Sequence, residues 1–302
     1  PIHQLGRQAL LSASCALSVC GAPLYAKEGA ANGEGVNVGK MSGLRNLVPA
    51  QQLENQAAQQ YAGLKQQAQR QNALAPDDNA QVIRLRKIAN KLIPFALKWN
   101  ERAAKWQWEV NLLASNQINA FCMPGGKIAF YVGILKNLKL TDDEVALVMG
   151  HEIAHALREH GRERMAKSGA TSVAAKLAGL GLAKVFNVDP NITSQVADGA
   201  AKLAILKFSR EDETEADVVG LDIAARAGYD PRAGVTLWQK MGAASKGAPP
   251  PWLSTHPAGT DRIAEIKKHL PDVMPLYAKA KNVTLSQLSP YQSNVAGLAP
   301  VP

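Results

Sequence analysis

Two hydrophobic periods organise the chain. Leu53, Ala57, Tyr61, Leu64 and Ala68 recur every three or four residues among glutamines, which is the spacing of one helix face, and Pro49 is placed to open that helix. The Ala-Pro-Asp-Asn-rich break at 75–79 ends it. Val82, Leu85, Ile88, Ala89, Leu92 and Ile93 then define a second amphipathic helix, ended or kinked by Pro94, with Arg84, Arg86 and Lys87 on a solvated face. From 106 the period falls to two: Trp106, Trp108, Val110 and Leu112 alternate with polar residues, as in a strand. Residues 118–123 and 127–132 are two further short strands, separated by the turn Pro124-Gly125-Gly126.

The helical period returns at Thr141, which with Glu144 forms a capping box at the head of the apolar run Val145 to Met149. Ser209 caps another helix that Gly228 terminates, a further helix passes through Trp238, and 260–270 gives one more. Residues 166–206 are read as two amphipathic helices broken around 187–190. Lys167, Lys176 and Lys184 argue against a membrane hairpin there, since a lysine in lipid costs a few kcal/mol. The elements predict an α+β fold, mostly helical, with a small sheet ahead of the helix at 141.

Composition changes this picture little. The 302 residues are 46% hydrophobic and 20% charged, enough for a substantial core. A formal charge of +9 suits anionic surfaces or acidic partners. No Lys/Arg run interleaved with aromatics accompanies it, so nucleic-acid binding is not expected. Residues 1–26 have a weakly basic start, an apolar stretch at 9–20 and small residues near 24–26, which predicts a cleaved export signal and a periplasmic destination, favoured over lipid anchoring at Cys15 or Cys20. Cys122 is then the single cysteine of the mature chain, which forbids an intramolecular disulfide, and it is read as a packed strand residue.

The candidate chemistry is His151-Glu152-Ile153-Ala154-His155. On a helix, residues four apart share a face, so both imidazoles reach one metal ion, and Glu152 beside them reaches a water held there as a general base. About sixty residues on, Glu213 and Asp217 also share a helix face. One could complete the metal's ligands while the other accepts a histidine N–H from behind. Two histidines and one glutamate form a known catalytic zinc set.

The series Asn119-Ala-Phe, Pro124-Gly-Gly, His151 to His155, Ser209-Arg210, Glu213-Thr-Glu-Ala-Asp217, Ala227-Gly-Tyr-Asp-Pro231, Ser254-Thr-His-Pro257 and Arg262 closely resembles the HtpX-like zinc metallopeptidases, the family that also contains CAAX prenyl proteases. The likeness covers roughly residues 80–270. It implies a zincin-type (gluzincin) fold binding one Zn2+ through His151, His155 and Glu213, with Glu152 as catalytic base and Asp217 bonded to a ligand. The chain lacks the long apolar helices of membrane-embedded members, which points to an exported branch. It also lacks the metzincin pattern, having Arg158 and Gly161 where that pattern wants Gly and His, so His160 is read as structural.

His256 and Arg262 are candidate oxyanion donors, and His256 is alternatively a fourth ligand that latches the site. The strand at 118–123, with Asn119, is the candidate edge for pairing with an extended substrate. The expected organisation is an export signal (1–26), a flexible lead and helical extension (27–78), a zinc metallopeptidase domain (79–272) and a disordered tail (273–302). The expected function is hydrolysis of unfolded or misassembled proteins in the bacterial envelope, with peripheral contact to the membrane or outer-membrane proteins. A chaperone-like binding factor with a latched zinc site is the alternative.

Overall fold

The computed structural model describes residues 34–167, 208–245, 250–256 and 261–302. The expected export signal and nearly all of the expected helical pair in 166–206 lie outside the described residues.

Helix α1 (Ala50–Arg70) buries Leu53, Ala57, Tyr61, Leu64 and Ala68, the five positions its spacing marked. Helix α2 (Ala80–Leu92) buries Val82, Leu85, Ile88, Ala89 and Leu92, and Pro94 converts its end into a 3-10 turn. Three strands follow: β1 (Glu109–Leu113), β2 (Ala120–Met123) and β3 (Lys127–Tyr131). They form one sheet in the order β1-β3-β2, with β1 parallel and β2 antiparallel to β3. Side-chain alternation gives the sheet two apolar faces. Leu113, Phe121, Met123, Ala129 and Tyr131 pack with α1, while Val110, Leu112, Ala120, Cys122, Ile128 and Phe130 join the main core. Tyr61 reaches from α1 to donate its hydroxyl to the Ile128 carbonyl.

The first strand starts at Glu109 rather than 106. Trp106 and Trp108 leave the ladder and pack against each other, ring centroids 5.2 Å apart and planes tilted by 56°. Their indole nitrogens donate to Glu54 Oε1 (3.0 Å) and the Ala103 carbonyl (3.2 Å). Gly126, with φ +77°, makes this possible, since a Cβ there would come 2.6 Å from the Trp108 ring.

Beyond the short helix α3 (Val132–Asn137) runs α4 (Asp142–Leu157), buried at every position from Glu144 onward, and then α5 (His160–Lys167). The Thr141/Glu144 capping box is present. Helix α6 (Arg210–Arg226) starts from a second capping box, Ser209 with Asp212, and ends ahead of Gly228 at φ +81°. Helices α7 (Ala233–Ala244), α8 (Pro251–Thr255) and α9 (Arg262–Lys281) complete the main body.

Two expectations of disorder are corrected. From Glu34 the lead is tied down: Val36 N donates to Asp222 Oδ2 (3.2 Å), Arg226 Nη2 donates to the Glu34 carbonyl (2.7 Å), and Val36 and Val48 are buried. At the other end α9 continues past Pro271 and Pro275 to Lys281. Both prolines sit on its exposed face, where the carbonyls they leave unpaired, four residues earlier, face water. The tail beyond then folds back, Tyr291 and Val301 forming an antiparallel bridge. Tyr291 Oη bonds Thr141 Oγ1 (2.9 Å), and Lys240 Nζ donates to both Asn294 Oδ1 and Glu144 Oε2 (2.6 Å each). The tail thereby bonds to the Thr141 cap of α4 and to the lysine that pairs with Glu144, which a composition of Ser, Pro, Asn and Gln does not reveal.

Helices α4 and α6 touch backbone to backbone. A Cβ on Gly220 would lie 2.9 Å from His151 N and 3.0 Å from the Gly150 carbonyl carbon, and one on Gly150 would lie 3.0 Å from Gly220 O. No side chain fits without separating the helices. Gly220→Ala is therefore expected to destabilise the fold by about 1–3 kcal/mol. Gly242→Ala, at a helical position with nothing within 4 Å of the added Cβ, is expected to be neutral or to stabilise by up to about 1 kcal/mol. Denaturant unfolding of the two variants checks the contrast.

Candidate metal centre

The Gly150–Gly220 contact places the next turns of α4 and α6 against each other. His151, Glu152 and His155 project from α4, Glu213 and Asp217 from α6, and His256 follows the last residue of α8. All six are buried. One donor atom from each of His151, His155, Glu213 and His256 lies within 4.8 Å of the others. His151 Nε2 is 3.1 Å from His155 Nε2 and 3.2 Å from His256 Nδ1, which in turn is 3.0 Å from Glu213 Oε1. Glu213 Oε1 is 3.5 Å from His155 Nε2. Three imidazole nitrogens and a carboxylate so converged suit a cation better than they suit one another. Imidazole and carboxylate are donors that a first-row divalent metal accepts.

The electrostatics agree. Burial pushes the His155 pKa well below the usual imidazole value, which keeps a lone pair free for a metal. Burial alone would raise Glu213, but the His256 charge and hydrogen bonds from His155 and His256 outweigh it and hold the carboxyl well below its ordinary range. At His256 burial acts downward, yet the Glu213 and Glu152 charges win and raise its pKa.

Asp217 stands behind the cluster, its Oδ1 3.0 Å from His151 Nδ1. Arg262 clamps both α6 carboxylates: Nη1 donates to Glu213 Oε2 (2.5 Å), and Nη2 and Nε donate to Asp217 Oδ1 (2.6 Å) and Oδ2 (2.5 Å). Its guanidinium also lies over the Trp238 ring, 4.0 Å from the centroid. This corrects the expectation of Arg262 as an oxyanion donor, because its donors are committed to the carboxylates. Asn119 lies just ahead of β2, and its Oδ1 accepts from Ala120 N (3.0 Å). Among the described residues β2 is an edge strand, but its side chains are all buried, so it is an edge in its backbone alone. Cys122 is a buried free cysteine in this strand.

The contacts of two residues escaped the sequence. Trp252 donates its indole N–H to Glu152 Oε1 (2.6 Å) and stacks on His256 with centroids 4.9 Å apart. Phe208 stacks on His155 at 3.9 Å. Phe208 precedes the Ser209 cap, a place where an apolar residue commonly anchors a helix entry, which was the available signal.

Comparison with known proteins agrees with this geometry. The model of "Peptidase family M48" matches residues 80–270. The chain belongs to peptidase family M48. Among relatives, mitochondrial metalloendopeptidase OMA1 of Arabidopsis thaliana is 39% identical over 155 residues, 51% of this chain and 30% of that protein. OMA1 of Saccharomyces cerevisiae is 31% identical over 224 residues, 70% of this chain and 62% of that protein. The beta-barrel assembly-enhancing protease of Yersinia pestis is 25% identical over 193 residues, 62% of this chain and 38% of that protein. The chain spans less than two thirds of the length of these curated relatives.

Relatives from Schizosaccharomyces pombe and Homo sapiens are metalloendopeptidases by name. The periplasmic destination is overturned: relatives from Arabidopsis thaliana to Homo sapiens are mitochondrial by name. The physical reason lies in residues 1–26. They contain no acidic residue and include Ser12, Ser14, Ser18 and Arg7, a composition shared by organellar leaders and secretory signals. Among the described residues no helix is long and apolar enough to cross a membrane.

Removing the Arg262 clamp leaves Glu213 and Asp217 buried without their cation. Arg262→Ala is expected to cost the metal-free protein about 3–5 kcal/mol, read by urea unfolding. Burial raises the Asp217 pKa, but the Arg262 charge and the His151 hydrogen bond lower it further, to a net value below the ordinary one. The clamp's stabilisation is therefore present above the unfolded carboxylate pKa of about 4 and lost as pH falls through the lower folded value. The gap between native and variant is expected to close in acid.

Proposed function

We propose that the chain is a zinc-dependent endopeptidase acting on unfolded or misassembled polypeptides, with His151, His155 and Glu213 as zinc ligands and Glu152 as general base. The observation that carries this reading is the convergence of His151, His155 and Glu213 donors beside a buried Glu152. Bound zinc would supply Lewis acidity, polarising the scissile carbonyl and acidifying a water. Glu152, fixed by the Trp252 N–H, takes the proton of the attacking water and returns it to the departing amine. Asp217 accepts a hydrogen bond from His151 Nδ1–H, which would leave the Nε2 lone pair free to hold the ion.

Substrate pairs with the outer edge of β2. Tyr131 N on β3 donates to the Asn119 carbonyl (3.1 Å), so by antiparallel alternation the Cys122 N–H and C=O and the Ala120 C=O face away from β3. Main-chain pairing there gives affinity with little sequence preference, which suits unfolded chains.

The four-donor cluster favours a second state of the same site. His256 as fourth ligand would close the tetrahedron and leave no position for water, as in structural zinc sites. Its neighbour Trp252 also donates its backbone N–H to the Ile118 carbonyl (3.2 Å) beside the edge strand. The protein is then latched, and opening of α8 unlatches it.

Casein cleavage by the native chain, a chelated sample, Glu152→Gln and His256→Ala tests both states. Chelation and Glu152→Gln are each expected to lower the rate at least about 100-fold, with zinc retained in Glu152→Gln. His256→Ala is expected to raise it. Equal cleavage in the first three samples would refute the peptidase assignment of these residues. Cys122→Pro, which removes an outward N–H and spares the ladder to β3, is expected to raise KM severalfold at nearly constant kcat.

A further inference from the structure

The sequence pattern marked His160 as structural and gave Glu215 no role at the site. The structure joins them to the metal centre. Glu159, at the turn from α4 to α5, takes a left-handed φ of +57°, and its carboxylate is held by Arg45 and Arg162 at 2.7 Å each. That turn brings His160, itself buried, back beneath His155. His160 Nδ1 lies 2.9 Å from His155 Nδ1, and His160 Nε2 lies 2.7 Å from Glu215 Oε2. Glu215 Oε1 accepts from Arg158 Nη2 at 2.6 Å.

Proton counting orders this string. A carboxylate paired with arginine only accepts, so the His160 proton sits on Nε2 and points at Glu215. His160 Nδ1 is then a lone pair, and it must accept from His155 Nδ1–H. A neutral imidazole carries one proton, so His155 presents its Nε2 lone pair to the cluster. The opposite order would aim an N–H at the cluster and repel a cation. On the other histidine the same logic runs through one link fewer, from His151 Nδ1 to Asp217 to Arg262. Each ligand histidine is thus backed by a carboxylate and an arginine, and on the His155 side His160 is the added link.

We infer that His160 and Glu215 are positioning residues for the metal centre, a proton-ordered relay that fixes the tautomer and ring orientation of His155 two rings away from the carboxylate that decides them. This rests on the reading of His155 as a zinc ligand through Nε2.

The test measures Zn2+ affinity of the metal-free chain by competition with a chromophoric chelator, together with the thermal midpoint of the metal-free protein. The variants are His160→Phe, His160→Asn, Glu215→Ala and Glu213→Ala. His160→Phe keeps a ring against Phe208 and His155 but removes both nitrogens. It is expected to weaken Zn2+ binding about 10–100-fold, the usual cost of losing the group behind a ligand histidine. His160→Asn restores an acceptor for His155 N–H and is expected to recover most of that loss. Glu215→Ala, which frees the His160 tautomer, is expected to fall between them. In the Co2+-loaded protein His160→Phe is expected to shift the visible absorption bands, which loss of packing elsewhere would not do. Native affinity in His160→Phe, or equal losses in His160→Phe and His160→Asn that track a lowered metal-free midpoint, would overturn the relay. A native chain that binds no stoichiometric Zn2+, or a Glu213→Ala variant that binds as tightly as native, would instead overturn the zinc reading itself and the relay with it.

Discussion

The architecture depends on the contact between Gly150 and Gly220. Ordinary helices pack 8–10 Å apart because side chains separate them. Two glycines let α4 and α6 approach until a Cβ on either would strike the other's backbone. The glycine of α4 immediately precedes His151, so the closest approach falls beside the first motif histidine. Glycine in a helix interior costs roughly 1 kcal/mol relative to alanine. Here that cost is offset by the packing of α4, which is buried along nearly its whole length.

Such proximity raises an electrostatic difficulty. Glu152, Glu213 and Asp217 are all buried beside a large apolar core. Isolated buried carboxylates would lose several kcal/mol of solvation each or take up protons. The chain answers with fixed donors: Arg262 across Glu213 and Asp217, and Trp252 on Glu152. These donors come from α8 and the first residue of α9, so the C-terminal helices are electrostatic partners of the site as well as packing for it. The Tyr291–Thr141 and Lys240–Glu144 bonds extend the same role to the cap of α4.

How much of this was legible in the sequence follows from the range of each interaction. Periodicity is local, so the buried faces of α1 and α2, the Thr141 capping box and the Ser209 cap could be read directly. The pairing of His151 and His155 with Glu213 and Asp217 was legible because each half is a helix-face pattern and the chemistry of zinc asks for both. What stayed hidden was set by direction in space. Trp106 and Trp108 alternate like strand residues yet turn out of the ladder toward Glu54 and Ala103. The helix expected over 260–270 continues past Pro271 and Pro275 to Lys281, with both prolines on its exposed face. Arg262 matched a family motif, while its role as a clamp depends on a bidentate geometry that no spacing encodes.

Glu215 shows where local reading fails. On α6 it lies two residues from both Glu213 and Asp217, about 200° around the helix axis, which a helical wheel assigns to the solvent side. That assignment assumes solvent on the side opposite the site. Instead α5 folds under α4 at the left-handed Glu159, and His160 occupies that side. An acidic residue on the far face therefore became the far end of a hydrogen-bond chain reaching His155. The left-handed turn at a non-glycine residue is unfavourable by itself. It is held in place by Arg45 and Arg162 on the Glu159 carboxylate, so the surroundings of His155 depend on two arginines that touch none of the four converging donors.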